Sequence, residues 1–339
     1  MTSLTQSSEE ALVPASATRP APLLRTFAWA VIGIMLVYLL NCYLIFWQDW
    51  PGMLPLFGGD GRIDVLVVLQ AASYVFCVLA AAVFVMRTNE NRTLRDDSSA
   101  LNDIAAYIIR AAFWAVLLIG LTDALISFLR VEGMLEGIVG SEMDNSLARA
   151  RIRGLYVHMP LIVIGALIAS MTRGAMFIWL ALAVVAAELS IVITRFVFSY
   201  EQAFMGDLVR FWYAALFLFA SAYTLFEDGH VRVDVIYAGF SSRTRGKVNA
   251  VGAVLLGMLL CWTILTMGMW SKRSILIAPL VGYEVSQSGF GMYIKYLMAG
   301  FLSIFAVTMM IQFASSLLES VADGRGEPGA RKIESEIIH

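Results

Sequence analysis

The sequence predicts an all-α membrane protein of about eight crossing helices. Three observations carry that reading. Hydrophobic residues make up 59% of the 339 positions and charged residues only 15%, where a soluble domain carries about 25% charge. The apolar residues are gathered into long runs, each near the ~20 residues that cross a bilayer as a helix. Aromatic residues reach 12%, which suits a membrane protein because Trp and Tyr favour the two interfaces.

Residues 1–25 are polar and rich in Ala, Ser and Pro, and read as a disordered cytoplasmic tail. The tail is too long and too acidic for the charged start of a signal sequence. The run that follows, 27–47, has no small-residue cleavage site and reads as a retained helix. Further apolar runs occupy 63–86, 104–129, 155–171, 175–198, 208–226, 248–270 and 292–318. The fourth, 155–171, is the weakest. It is short, carries His158 and Pro160 near its start, and is joined to the next run only by Thr172, Arg173 and Gly174. Such a link fits a tight helical hairpin or a kinked, re-entrant segment, so seven spans stay open as the alternative. Lys and Arg counts on the two sides tie between seven and eight spans. Eight keeps both termini cytoplasmic and is the preferred reading.

Between the third and fourth runs, 131–154 is the longest irregular stretch. Leu135, Val139, Met143 and Leu147 recur every four residues, with Glu132, Glu136, Asp144 and Arg151 among them. That spacing suits an amphipathic helix on the membrane surface, and equally a solvated loop. The chain then divides into the tail 1–25, a four-span segment 26–173, a four-helix unit 174–320, and a charged, Gly-rich tail 321–339. No internal repeat of the kind found in many self-sufficient transporters is visible.

Charges inside the runs narrow the chemistry. Arg110, Asp123, Glu188, Arg195 and Arg210 fall within or at the edges of apolar stretches. A charge at mid-bilayer costs about 2.5–3.5 kcal/mol on insertion scales, so each requires a partner or a role. Asp123 and Glu188 are the deep ones. They fit a proton or sodium relay, or, as the favoured reading, hydrogen bonds between helices. The three arginines lie nearer span ends and can reach the interface. Cys42, Cys77 and Cys261 all lie in apolar runs and read as small buried residues. His158 and His230 fall on opposite membrane faces in the eight-span topology, so they cannot share one haem, and His230 with Asp234 offers too few ligands for a metal. No phosphate loop, dinucleotide turn or nucleophile elbow occurs. A formal net charge of −2 leaves no basic footprint for nucleic acid.

One stretch, 222–245, stands where an apolar run meets a cluster of charge. Its centre, His230-Val231-Arg232-Val233-Asp234, alternates polar and apolar residues. Extended, it faces its three polar side chains one way; helical, it makes His230 and Asp234 neighbours at i, i+4. Other marked residues stand at helix ends. Arg195-Phe196-Val197-Phe198 closes one run and Asp207 opens the next. Ala222 and Tyr223 precede the block 228–234, and Glu284-Val285-Ser286-Gln287-Ser288-Gly289, then Lys295, precede the last run.

In that order, the residues of 174–320 resemble the small membrane subunit (DctQ type) of TRAP transporters, the tripartite ATP-independent periplasmic carriers, with Phe196 where the family has Tyr. The segment 26–173 lies outside the resemblance. The resemblance implies a multi-pass protein of the bacterial inner membrane that catalyses nothing itself and binds no cofactor. It implies two partners besides lipid: a large membrane subunit (DctM type), in which the sodium and substrate sites are expected, and a periplasmic binding protein that captures a carboxylate-bearing solute. The small subunit is then a static scaffold for sodium-coupled import of organic acids. The resemblance also marks His230, Arg232 and Asp234 as fixing the cytoplasmic end of a core helix. Arg195, Asp207, Glu284 and Ser286 become interface or motif residues, with Arg195 and Asp207 flanking a short hairpin within reach of each other or of a partner. Structural ion pairs holding only this chain's own fold are the competing reading of His230, Arg232, Asp234, Arg195 and Asp207. A self-contained transporter or channel using Asp123 and Glu188 is the competing function.

Overall fold

Breakers and caps set the ends of the helices. In the computed structural model, residues 21–58, 63–88, 92–174, 177–227, 237–286 and 289–330 are described. Helix α1 (Pro22–Trp47) begins on Pro22, whose fixed φ and missing N–H suit a first turn. After α2 (Val65–Thr88), α3 (Leu94–Val131) opens on a capping box. Thr93 Oγ1 accepts from the Asp96 N–H, and the Asp96 carboxylate accepts from the Thr93 N–H at 2.7 Å, satisfying two otherwise orphaned donors. Two short helices follow, α4 (Leu135–Val139) and α5 (Ser141–Leu147). The remaining elements are α6 (Ala150–Met171), α7 (Phe177–Val197), α8 (Ala203–Phe226), α9 (Ser242–Met269), α10 (Ile277–Gly282) and α11 (Lys295–Arg325). The described residues contain no strand.

Eight of these helices are long and apolar enough to cross a membrane. The fourth, weak in sequence, gains its length at the amino end. Ala150 starts it, giving 22 residues. Pro160 lacks the N–H that would bond the carbonyl one turn back. Just before it the helix widens into a π turn over Gly154–His158, where the Met159 N–H reaches Gly154 O. The helix therefore continues through the proline.

The segment 131–154, open between an amphipathic surface helix and a solvated loop, holds the two short helices α4 and α5. Gly140 sits between α4 and α5 at φ +83°, a conformation that glycine adopts without a Cβ penalty. Leu135 is buried while Ile138, Val139 and Met143 are exposed, so the four-residue period does not mark one face.

Two long helices form the axis of the molecule. By helical rise, α3 is ~57 Å and α11 ~46 Å long. They run antiparallel: Ser98 Oγ lies 2.7 Å from Ser315 Oγ, and farther along the Tyr293 N–H donates to Asp123 Oδ2 at 2.8 Å. One hydrophobic cluster gathers α1, the start of α3, α9, α10 and the later part of α11. The other gathers the later part of α3, α6, α7, α8 and the start of α11. Small residues allow the close crossings. A Cβ on Gly165 of α6 would lie 2.6 Å from the Ala115 backbone of α3, and one on Gly120 of α3 would overlap Trp212 Nε1 of α8. Backbones packed this closely are a common device between helices in lipid, where dispersion rather than water exclusion drives contact.

Candidate functional site

A buried charge cluster lies toward the end of the bundle opposite the start of α1 and the close of α11. Asp123 projects from α3 and is fully buried. Its Oδ1 accepts from Arg153 Nη1 at 3.0 Å and lies 3.1 Å from His158 Nε2, both on α6. Its Oδ2 accepts from the Tyr293 N–H, just before α11. With a carboxylate at Nε2, His158 donates from that nitrogen. Its Nδ1 lies 2.9 Å from Tyr296 Oη, and accepts from that hydroxyl when the imidazole is neutral. The His158 and Tyr296 rings stack with centroids 5.9 Å apart, and Tyr283 closes on Tyr296 at 5.2 Å.

Arg153 is held through Nε and Nη1. Its Nε donates to Leu147 O at 3.0 Å, its Nη1 also reaches Ser127 Oγ at 3.2 Å, and its guanidinium lies 4.2 Å from the Tyr293 ring centroid. Local sequence explains the convergence. The π turn at Gly154–His158 brings Arg153 and His158 to one side, and Gly154 leaves room for the Tyr283 ring, which a Cβ there would approach to 2.6 Å. The arrangement gives both oxygens of the buried carboxylate donors and gives Arg153 Nε and Nη1 acceptors, which is what charges need away from water; Arg153 Nη2 is buried with no hydrogen-bond partner among the described residues. Asp123 thus pairs across helices with Arg153, a cation from the segment 131–154.

Around it, at the same end, stand the motif residues. Asp207 is the fifth residue of α8, not the first, because the helix begins at Ala203. Its Oδ2 accepts from Ser286 Oγ at 3.1 Å and from the Met292 N–H at 3.2 Å, and Arg210 Nη1 lies 3.6 Å from its Oδ1. Glu284 forms an ion pair with Lys295 at the start of α11. Residues far apart in sequence thus meet at the junction of α8, the 283–294 connector and α11. Arg195 does not reach Asp207. It turns to Glu201 at 4.0 Å, and both are well exposed, a pair worth little in stability. Tyr200 in the same hairpin donates to Glu132 at the end of α3. That carboxylate holds the Tyr200 phenol above its ordinary range. His230, Arg232 and Asp234 lie outside the described residues.

The other intramembrane charges separate by environment. Glu188 lies on the exposed side of α7 and has no hydrogen-bond or ion-pair partner among the described residues. Arg110 is half-buried on α3, its Nε without a hydrogen-bond partner. Cys42 and Cys261 are buried and Cys77 partly so, none in a disulfide. Among the described residues no group of three or more His, Cys, Asp or Glu could hold a metal ion.

A second cluster, at the end where α1 starts and α11 closes, escaped the sequence reading. Asp97, fully buried at the start of α3, pairs with Arg25 of α1 at 2.6 Å and lies 3.1 Å from Arg92 Nε. Arg25 also donates to Thr88 Oγ1 of α2. Arg95 pairs with Asp323 of α11 at 2.6 Å and donates to Pro328 O. The signal available in sequence was Arg25 beside the first apolar run and the charge-dense stretch Arg92–Asp97 beside the third. Nothing local distinguishes the buried Asp97 from the exposed Asp96.

Residues 184–323 match the family model described as "Tripartite ATP-independent periplasmic transporters, DctQ component". The matched segment is less than half of the chain. It begins within α7, takes in α8, α9 and α10, and ends within α11. No curated protein and no solved structure matches the chain.

Proposed function

We propose that this chain is the small membrane subunit of a tripartite carrier that imports organic acids across the bacterial inner membrane. The observation that carries the reading is the match of 184–323 to the DctQ component family. The large membrane subunit moves the carboxylate and couples it to sodium, and a periplasmic binding protein delivers the solute. This chain is the scaffold beside the large subunit, with the helices before residue 174 as an extension of that scaffold. Its internal wiring supports such a role. The antiparallel pair α3 and α11 is tied at one end by Arg95–Asp323 and at the other by Asp123 with Tyr293, which favours a rigid body over a moving one.

A self-contained transporter using Asp123 and Glu188 has less support. Asp123 is fully enclosed and engaged by Arg153, His158 and Tyr293, whereas a relay carboxylate must exchange protons or ions with a water path. Glu188 faces outward on a different helix and shares no hydrogen bond with it.

The test is gentle solubilisation of native membranes, affinity capture of this chain and mass spectrometry of its companions, with uptake assayed in cells lacking the chain. A large polytopic protein at near-equal stoichiometry and lost uptake of a carboxylate are expected. A chain that purifies alone and moves carboxylates in liposomes, with loss of transport in Asp123→Asn or Glu188→Gln, overturns the reading.

A further inference from the structure

We infer that the outward seam of α7 is a docking surface for a membrane-spanning helix of a different polypeptide, one that presents a basic or hydrogen-bond-donating side chain to Glu188. The inference rests on the subunit reading above and assigns that reading a surface. The helix has 21 residues, so it is ~31 Å long and matches a hydrocarbon layer of ~30 Å with little to spare. Glu188 stands ~16 Å from one end and ~14 Å from the other. A short carboxylate side chain at that depth cannot snorkel, and needs a cation or donor beside it. None of the described residues supplies one. Arg210, the basic residue at comparable depth on the neighbouring helix α8, is turned to Asp207 within its own helix.

Ile178, Ala181, Val185, Glu188, Val192 and Arg195 follow one another at alternating steps of three and four, the spacing of a helix–helix seam. All are exposed except the half-buried Ala181. Helix α2 provides the contrast. It is also an edge helix packed mainly on α1, but its outward residues, among them Val68, Val75, Phe76, Leu79 and Val83, carry no charge before Arg87 in the last turn. Lipid alone covers such a face at no electrostatic cost. It does not cover the α7 seam on those terms.

A second copy of this chain does not fit either. Two copies related by an axis along the membrane normal bring parallel α7 helices together at equal depth. Each Glu188 then meets its own counterpart, while Arg195 lies ~10 Å farther along. The like charges meet and the opposite ones do not. The occupant is therefore a different polypeptide whose donor stands at the depth of Glu188.

The test uses the full chain in native membranes, with photoreactive benzoylphenylalanine replacing Val185 or Val192 on α7, or Phe76 on α2 as control. The expected result is one adduct from the α7 positions, to a membrane-spanning segment of another protein that bears Arg, Lys, His, Asn or Gln near its middle, and lipid adducts only from α2. Interhelical polar contacts of about 0.6–1.7 kcal/mol convert to a roughly 3- to 15-fold fall in adduct yield for Glu188→Leu, with a smaller fall for Glu188→Gln. Adducts to a second copy, to lipid alone, or to a segment with no donor overturn the inference, as does an unchanged yield in Glu188→Leu. The adducts are read first with Glu188 intact, so a poorly folding variant does not decide the matter. If capture brings a large polytopic partner while α7 labels only lipid, this surface is wrong and the subunit reading stands. If no partner accompanies the chain, both fall.

Discussion

Replacing Arg153 with Leu should be the most damaging single change in the bundle. Asp123 has no exposure and three donors: Arg153 at 3.0 Å, His158 at 3.1 Å and the Tyr293 N–H at 2.8 Å. Only the first brings a permanent positive charge. Removing it leaves a carboxylate enclosed among neutral groups, a change that costs about 3–5 kcal/mol when one member of a buried pair is lost. Leu147 O and Ser127 Oγ also lose the guanidinium as donor. Asp123→Leu should cost a comparable amount by the opposite route, because an arginine cannot shed its proton and would remain buried without a counter-charge. Asp123→Leu combined with Arg153→Leu removes both charges together. Its residual cost is the polar groups that both singles already leave unpaired, the Tyr293 N–H, the His158 nitrogen, Leu147 O and Ser127 Oγ, roughly 1–3 kcal/mol each at most, without the stranded charge that each single adds. The double variant should therefore lie far above the sum of the singles in stability. Unfolding of the purified chain by graded SDS in mixed micelles measures all three. The reasoning is refuted if Arg153→Leu costs under about 1 kcal/mol, or if the double variant costs the sum of the two singles, since either outcome denies that charge pairing is what chiefly holds the cluster.

Four further outcomes follow from the same geometry. Gly154→Ala places a methyl 2.6 Å from the Tyr283 ring and should destabilise by about 1–3 kcal/mol through overpacking, with altered near-ultraviolet circular dichroism from the displaced tyrosines. Ser286→Ala removes a donor from the carboxylate of Asp207 and should cost about 0.5–1.5 kcal/mol in SDS unfolding, because the bond is exposed and water can replace it. Arg195→Ala should leave stability within about 0.5 kcal/mol, its pair with Glu201 being long and exposed; a large loss of solute uptake in the same variant then reports a contact with another subunit. Tyr200 is held above its ordinary value of 10.0 by Glu132. The protonated phenol is thus favoured in the folded chain, and the tie is intact below pH 10 and lost as pH rises through the higher folded value. The ultraviolet ionisation signal missing from Tyr200→Phe should accordingly be one that titrates above pH 10.

The helices were legible because hydropathy is local. Each apolar run became a helix, and even the doubtful run 155–171 needed only the residues from Ala150 to reach full length. The partners of the charges were not legible, because pairing is a property of packing. Asp123 was visible as a deep charge, but Arg153 stood 30 positions away, in a stretch whose four-residue period suggested a surface helix. A carboxylate within an apolar run requires a counter-charge, and the alternating Arg149, Arg151 and Arg153 beside the next run were the place to seek it. Asp97 was hidden for the complementary reason. It lies in a polar connector that reads as solvated, yet α1 and α11 fold over it. Among the motif residues, chain order placed Asp207, Glu284 and Ser286 at helix ends, but the Ser286–Asp207 and Glu284–Lys295 contacts depend on the 283–294 connector returning to α8, which no local pattern specifies.

The two deep carboxylates, equivalent in sequence, differ in what completes them, and that difference is measurable. Asp123 has its cation and its donors within this chain, all inside the packed core. Glu188 has neither among the described residues and stands on the exposed side of α7. An apolar carbodiimide entering from the lipid phase can reach a side chain on an outer helix face but not one enclosed by α3, α6 and α11. In the purified chain, peptide mapping should find the reagent on Glu188 and not on Asp123. In the intact assembly from native membranes, the seam of α7 is covered and labelling of Glu188 should fall several-fold, while Asp123 stays unlabelled in both. Labelling of Asp123 in either preparation would mean that its cluster opens to the bilayer or to water, which would make it a candidate for transport again. Equal labelling of Glu188 in chain and assembly would mean that lipid, not protein, lies against it.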